Sequence, residues 1–259
     1  MKTIICLTIA VLLGLPLAHA QNNLEKTIPL DGAAKIEFGL TYGDVHIKTW
    51  DKNEVLIRGK VDINNGENND AFVIESERQG KSLQIETHIP KIDDLPRIKW
   101  RHDEDDKSGK SSRIYQSDGN QYAEGVRMDI DLEVFIPKNT LIEVESTYGD
   151  VSLVDPPTPL EVHNTYGSVE AVFHRMPGDA KVELESTYSF VDIGLPAAAA
   201  TQVELQSSYG EIFTDFELSI LKYDEGAHGT GFIKANLNGG GSSIAASATY
   251  SNIYLRMNQ

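Results

Sequence analysis

A short repeat constrains this chain more than any other feature. It reads Thr41-Tyr42-Gly43-Asp44-Val45, Thr147-Tyr148-Gly149-Asp150-Val151 and Thr165-Tyr166-Gly167-Ser168-Val169. It returns as Thr187-Tyr188-Ser189-Phe190-Val191, Ser208-Tyr209-Gly210-Glu211-Ile212 and Thr249-Tyr250-Ser251-Asn252-Ile253. From Tyr148 onward the tyrosines are 18, 22, 21 and 41 residues apart. A recurrence near 20 residues is the length of one coil in a stacked-repeat protein. The last gap reads as two periods, with a degenerate copy around residues 229–233.

Alignment on the tyrosine exposes columns. Six places before it stand Ile36, Ile142, Leu160, Val182, Val203 and Ile244, and four before stand Phe38, Val144, Val162, Leu184, Leu205 and Ala246. Three places after it come Val45, Val151, Val169, Val191, Ile212 and Ile253. Alternation with period two is the strand signature. The apolar phase slips by one residue across Tyr-Gly, as it does where a strand turns a corner and keeps the same side inward. Each unit is therefore strand, corner, strand. No unit can bury its apolar side alone, but stacked units share one core. Parallel stacking spaces equivalent residues ~4.8 Å apart, so six coils from about Leu141 onward predict a rod roughly 30 Å long. The fold class is all-β, a parallel β-solenoid.

The N-terminus reads Met1-Lys2, then a nearly apolar run to Leu17, then Ala18-His19-Ala20. This is the pattern of a secretory signal peptide cut after Ala20, and it places the protein in the periplasm or outside the cell. Cys6, the only cysteine, falls in the removed segment, so no disulfide staples the mature chain. Cleavage leaves 22 basic and 39 acidic residues, a net charge of −17. Such a chain repels nucleic acid, and no later segment has the ~20 apolar residues of a membrane helix.

Residues 21–259 read as one domain, most regular over 128–259. Alternating runs at Val55–Ile63, Leu83–Ile89 and Met128–Ile136 add strands outside the repeat. Residues 91–127 form a polar insertion of mixed charge, read as a mobile loop or a site. The end of the chain, around Ser251–Arg256, reads as an open sheet edge through which rods could associate end to end.

Several of these elements together carry a resemblance. They are Tyr42-Gly43-Asp44-Val45-His46-Ile47 with Trp50 and Asn53-Glu54-Val55, the run Ile130-Asp131-Leu132-Glu133-Val134-Phe135-Ile136-Pro137, the repeated Tyr-Gly units, and Leu237-Asn238-Gly239-Gly240-Gly241. In their order and spacing they resemble a bacterial domain-of-unknown-function family labelled "putative adhesin", over nearly all of residues 25–257. The resemblance implies a secreted, non-enzymatic, right-handed parallel β-solenoid. It brings no catalytic residues.

Two constellations are candidates for function. The first is the tyrosine column Tyr42, Tyr148, Tyr166, Tyr188, Tyr209 and Tyr250, expected to stack as a structural ladder. Its parity matches the apolar positions before it, which predicts rings turned inward or packed at the corner; rings lying outside could instead hold sugars. The second is an acidic column five places before each tyrosine: Glu37, Glu143, Glu161, Glu183 and Glu204, with Ala245 at the end. Carboxylates ~5 Å apart repel by about 0.8 kcal/mol per pair in water. The column is therefore either a solvated face that discourages aggregation, or a site for a cation, calcium being the natural one outside the cell. The histidines are scattered, with no pair at the spacing of a zinc helix. Nucleophile elbows and phosphate loops are absent.

Two functions follow. One is a cell-envelope or extracellular binding scaffold whose partner is a protein or glycan surface. The other is a polysaccharide lyase or hydrolase, which needs carboxylates converging in a groove.

Overall fold

The computed structural model describes residues 23–101, 113–118, 120–225 and 231–258. Residues 1–22, with Cys6 and the expected signal peptide, lie outside them, as do His102 and His228. Among the described residues, two large sheets face each other and a small third sheet stands beside them.

Six two-strand units run through the large sheets. They are β2 (Lys35–Leu40) with β3 (Asp44–Trp50), β11 (Leu141–Ser146) with β12 (Val151–Val154), and β13 (Leu160–Asn164) with β14 (Val169–Val172). The others are β15 (Lys181–Ser186) with β16 (Val191–Leu195), β17 (Thr201–Ser207) with β18 (Ile212–Thr214), and β21 (Ser242–Ala248) with β22 (Ile253–Met257). The first strand of each unit lies in one sheet and the second in the other, with the tyrosine between them. Equivalent residues pair in parallel and in register: Val144 faces Phe38 and Val162, and Val169 faces Val151 and Val191. The aligned apolar columns are buried between the sheets, with Ile36, Val144, Val162, Leu205, Val151 and Val191 fully enclosed. Each such side chain contributes about 1.5–3 kcal/mol by leaving water.

The stacking order departs from chain order. The rungs run Tyr42, Tyr148, Tyr166, Tyr188, Tyr250, Tyr209, because β21 enters between β15 and β17, and β22 between β16 and β18. The long gap before Tyr250 is thus no pair of periods. After Thr214 the chain forms an antiparallel hairpin, β19 (Ser219–Glu225) and β20 (Gly231–Leu237), with β20 antiparallel to the outer side of β17. The chain then returns to fill the place it had skipped. The expected open edge at Ser251–Arg256 is consequently an interior strand, paired on both sides.

Antiparallel strands also cover the other end, so both large sheets are mixed, although in the sheet of β3 the parallel run continues to the edge strand β18. β4 (Glu54–Ile63) lies antiparallel between β1 (Asn23–Pro29) and β10 (Met128–Pro137), and β10 runs parallel to β3. In the facing sheet β6 (Ser82–His88) pairs parallel with β2, and β5 (Val73–Gln79) pairs antiparallel with β6. Residues 91–127 are more than a loop. Their described part holds the antiparallel strands β7 (Ile98–Arg101), β9 (Asn120–Gly125) and β8 (Arg113–Ser117). The polar, mixed-charge composition of that stretch hid the short strands.

The repeat motif is explained at the corner. A Cβ on Gly149 would stand 2.0 Å from the Gly43 carbonyl oxygen, and one on Gly167 would stand 1.8 Å from that of Gly149. Gly149 also has φ +118°, which side-chain-bearing residues rarely adopt. The aspartate that follows bonds the neighbouring rung. Asp44 Oδ1 accepts from the Asp150 N–H and Asp150 Oδ1 from the Ser168 N–H, both at 2.8 Å. Two places before the tyrosine stands a buried polar row, Asn164, Ser186 and Ser207. Ser186 Oγ donates to the Gly167 carbonyl (2.9 Å) and accepts from the Ser189 N–H (3.1 Å). At these corners buried groups that would otherwise be orphaned are satisfied this way, whereas the Ser146 hydroxyl in the same row has no partner among the described residues.

Replacing Gly149 by Ala should therefore cost about 2–4 kcal/mol. Gly178→Ala, where an added Cβ meets nothing within 4 Å, is the control and should stay within about 0.5 kcal/mol of the parent. Urea unfolding of both variants checks this. Equal midpoints would contradict the close approach of the corners.

Candidate binding face

The outer side of the sheet that holds β2, β11, β13, β15, β21 and β17 carries parallel columns of polar side chains. Strand pairing puts the acidic column in one line: Glu37, Glu143, Glu161, Glu183, Ala245, Glu204, continued by Lys234 on β20. In space Ala245 does not end the column but separates Glu183 from Glu204.

The column supplies its own counter-charges. Lys35 bonds Glu143 and pairs with Glu37 at 3.0 Å. Glu37 also accepts from Ser82 Oγ (3.1 Å) and Gln84 Nε2 (3.3 Å). The hydrogen bond from Lys35 holds the Glu37 carboxyl below its ordinary range, although partial desolvation opposes this. The bonds to Glu143 and Glu37 raise Lys35 in turn. His163 bridges Glu161 (2.9 Å) and Glu185 (3.1 Å), and Lys234 is bonded to Glu204. Lys35 and His163 come from columns two residues away on the same face, and Lys234 stands directly across from Glu204, so a strand-by-strand count of acids misses them.

Beside this column lies a shallow depression of about 430 Å³ lined by Lys35, Glu143, Glu161, Lys181, Glu183 and Glu204. Its acids follow one another along the stacking direction and do not oppose each other across a cleft. A glycosidase needs two carboxyls facing each other across the scissile bond.

The tyrosines form one continuous ladder. Successive ring centroids are 5.5, 5.0, 4.9, 5.0 and 5.1 Å apart from Tyr42 to Tyr209, with interplanar angles of 5–8°. The stacking agrees with the sequence; an inward direction does not. Tyr166, Tyr188, Tyr250 and Tyr209 are about half exposed or more, while Tyr42 packs against the core. Strand alternation cannot be extended to the tyrosine, because β11 ends at Ser146 and the backbone already bends at Thr147. Each ring covers the faces of its neighbours, so solvent meets edges and hydroxyls. Sugar stacking needs a free face, and the ladder offers one only beyond its terminal rings, Tyr209 being 63% exposed.

The opposite face carries a row that motif reading had not linked. Ser152 Oγ lies 2.6 Å from His46 Nδ1, and His46 Nε2 lies 3.4 Å from Asp131. The three sit side by side on β12, β3 and β10. Register makes them neighbours, although 21 and 85 residues separate Ser152 and His46 from Asp131 along the chain. Acyl transfer requires N–H donors aimed at a developing oxyanion. On these paired strands the backbone donors serve the ladders, so the row is read as a polar surface contact.

Among solved structures the chain is similar to a "putative cell adhesion protein" from Clostridium sporogenes ATCC 15579. The TM-score is 0.58 at 12% identity, covering 91% of this chain and 99% of that one. Two further likenesses are a "putative adhesin" from Bacteroides fragilis NCTC 9343 (TM-score 0.30, 11% identity, covering 92% and 98%) and a "putative lipid binding protein" from Parabacteroides distasonis ATCC 8503 (0.26, 12%, 92% and 98%). The first shares the fold; the other two are too distant to support an argument. No protein-family model and no curated protein sequence matches the chain.

His163 gives the face a pH signature. Desolvation lowers its pKa, but hydrogen bonds to Glu161 and Glu185 outweigh that and raise it above the ordinary value. A raised histidine stabilises fully below its unfolded pKa of about 6.5, and that contribution is lost as pH rises through the folded value. Relative to His163→Gln, the parent should therefore lose melting temperature as pH climbs from about 6 into the neutral range and beyond. Parallel profiles for the two proteins would contradict the bridge.

Proposed function

We propose that this protein is an exported, non-catalytic binding scaffold of adhesin type, and that the outer face described above engages a protein or glycan surface. The observation that carries the reading is the register. Five of the six in-line strands present an outward glutamate at the same register position, and an extended partner can meet these repeats simultaneously. Many weak contacts held at fixed spacing give avidity without a deep pocket. The six units are read as turns of a right-handed parallel β-solenoid, the hand that parallel crossovers favour. The antiparallel strands at both ends act as its caps. The family resemblance in the sequence and the fold shared with the clostridial cell adhesion protein support this reading, and the leader-like first 20 residues support export.

The charge narrows the partner. With an excess of acids over bases of this size, polyanions are repelled, so neutral or amino-bearing polymers and basic protein surfaces are favoured. The exposed Glu161, Glu183 and Lys181 are the contacts the partner would use.

The test is a panel of immobilised neutral, amino-sugar and acidic glycans, with basic and acidic proteins alongside, read by biolayer interferometry and by assay for new chain ends. Saturable binding to neutral or amino-bearing surfaces is expected, without cleavage. A Glu161→Gln/Glu183→Gln/Lys181→Gln variant should lose at least tenfold in affinity with its melting temperature kept. Release of new chain ends would establish the carbohydrate-active alternative, and binding unchanged in the variant would place the contact elsewhere.

A further inference from the structure

At the capped end near Tyr42, the same outer face holds a donor set of a different chemical kind. Glu86 and His88 are two residues apart on β6 and therefore point to one side of the sheet. Glu75 on β5 lies directly across from Glu86 in the strand register. One ligand atom from each of Glu75, Glu86 and His88 falls within 4.8 Å of the others. The next strand contributes Gly39, whose missing side chain lets Glu86 lie over β2; a Cβ there would meet Glu86 Cγ at 3.4 Å. A depression of about 420 Å³ results, lined by Gly39, Glu75, Glu86 and His88, with Glu145 on its far side.

The electrostatics supply an independent observation. Elsewhere on this face Glu37, Glu143, Glu161 and Glu204 each have a basic partner or a bridging imidazole. Glu75 and Glu86 oppose each other across two strands, a destabilising like-charge pair, and no ion pair with a basic side chain relieves either of them among the described residues. The Lys26 ammonium, which lines a neighbouring depression with Glu75 and Glu86, is bonded to the Ile74 backbone carbonyl at the sheet edge. An imidazole with two carboxylates is a borderline, mixed N/O set, which suits zinc and related divalent transition ions better than calcium, an oxygen-only cation.

From this we infer that Glu75, Glu86 and His88 form a surface site for a divalent transition cation, zinc foremost, with water completing the coordination. The site lies at the capped end of that face, on strands other than those of Glu161, Glu183 and Lys181, and does not depend on partner binding there.

Zinc chloride and, separately, calcium chloride are titrated calorimetrically into the full chain. One zinc per chain is expected, with calcium much weaker. His88→Ala, Glu75→Gln and Glu86→Gln should each lower zinc affinity at least tenfold, while Glu161→Gln/Glu183→Gln leaves it unchanged. Should a variant not fold, the His88 imidazole resonances of the unaltered protein must shift on addition of zinc. Absence of saturable zinc binding, full affinity in His88→Ala, loss in the Glu161→Gln/Glu183→Gln control, or His88 resonances that do not move would each overturn the site.

Discussion

The structure depends on how closely one corner lies on the next. At the tyrosine corner the carbonyl of one rung occupies the space in which a side chain of the following rung would begin, so Gly149 and Gly167 have no room for a Cβ. The contact recurs at Gly210, whose Cβ would stand 2.2 Å from the Ser251 carbonyl oxygen, and it fixes the position of these rungs, while the corners at Ser189 and Ser251 accommodate a side chain. Once fixed, the corner lets the aspartate after the glycine bond the neighbouring backbone, and lets the rings stack near 5 Å. A slip of one residue would turn every buried valine and leucine to solvent and every glutamate into the core. Register and core therefore reinforce each other, and the outer columns inherit their regularity from the corners.

The ends need a different solution, because a stack of parallel strands leaves an unpaired rung at each side. At one end β4 and β1 extend the first sheet while β6 and β5 extend the second. At the other, β20 and β19 cover β17 and the facing sheet ends on the three-residue β18. The exposed strands have features that discourage further pairing. β5 carries Glu75, Glu77 and Arg78, and Lys26 takes the carbonyl of Ile74 at that edge; β18 is too short to template a partner.

Much of this was legible in the sequence. The columns six and four residues before each tyrosine, and three after it, are buried as the alternation required, except for half-buried Ile212 on the edge strand, and the glutamates between them face outward. The order of the rungs was not legible, because the spacing of Tyr209 and Tyr250 fits either consecutive coils or a strand inserted later. Only the Glu183, Ala245, Glu204 pairing resolves it. The direction of the tyrosines was missed because parity holds along a strand and fails where the strand ends. The set at Glu75, Glu86 and His88 escaped a search tuned to helical spacing. On a strand, the signal is a two-residue separation plus a partner across the hairpin.

The insertion of the last unit between two earlier ones tests the account most directly, because chain order and stacking order then disagree. Cys6 is the one cysteine of the sequence, so with Cys6→Ala in the background introduced pairs report proximity cleanly. Glu183→Cys with Ala245→Cys occupies paired positions on adjacent strands, and Glu183→Cys with Glu204→Cys is separated by the whole of β21. Under mild oxidation the first pair should cross-link within the folded protein and the second should not, because a disulfide needs Cα atoms closer than about 7 Å. Cross-linking of the second pair with failure of the first would show that the rungs follow chain order, and would contradict the stack described here.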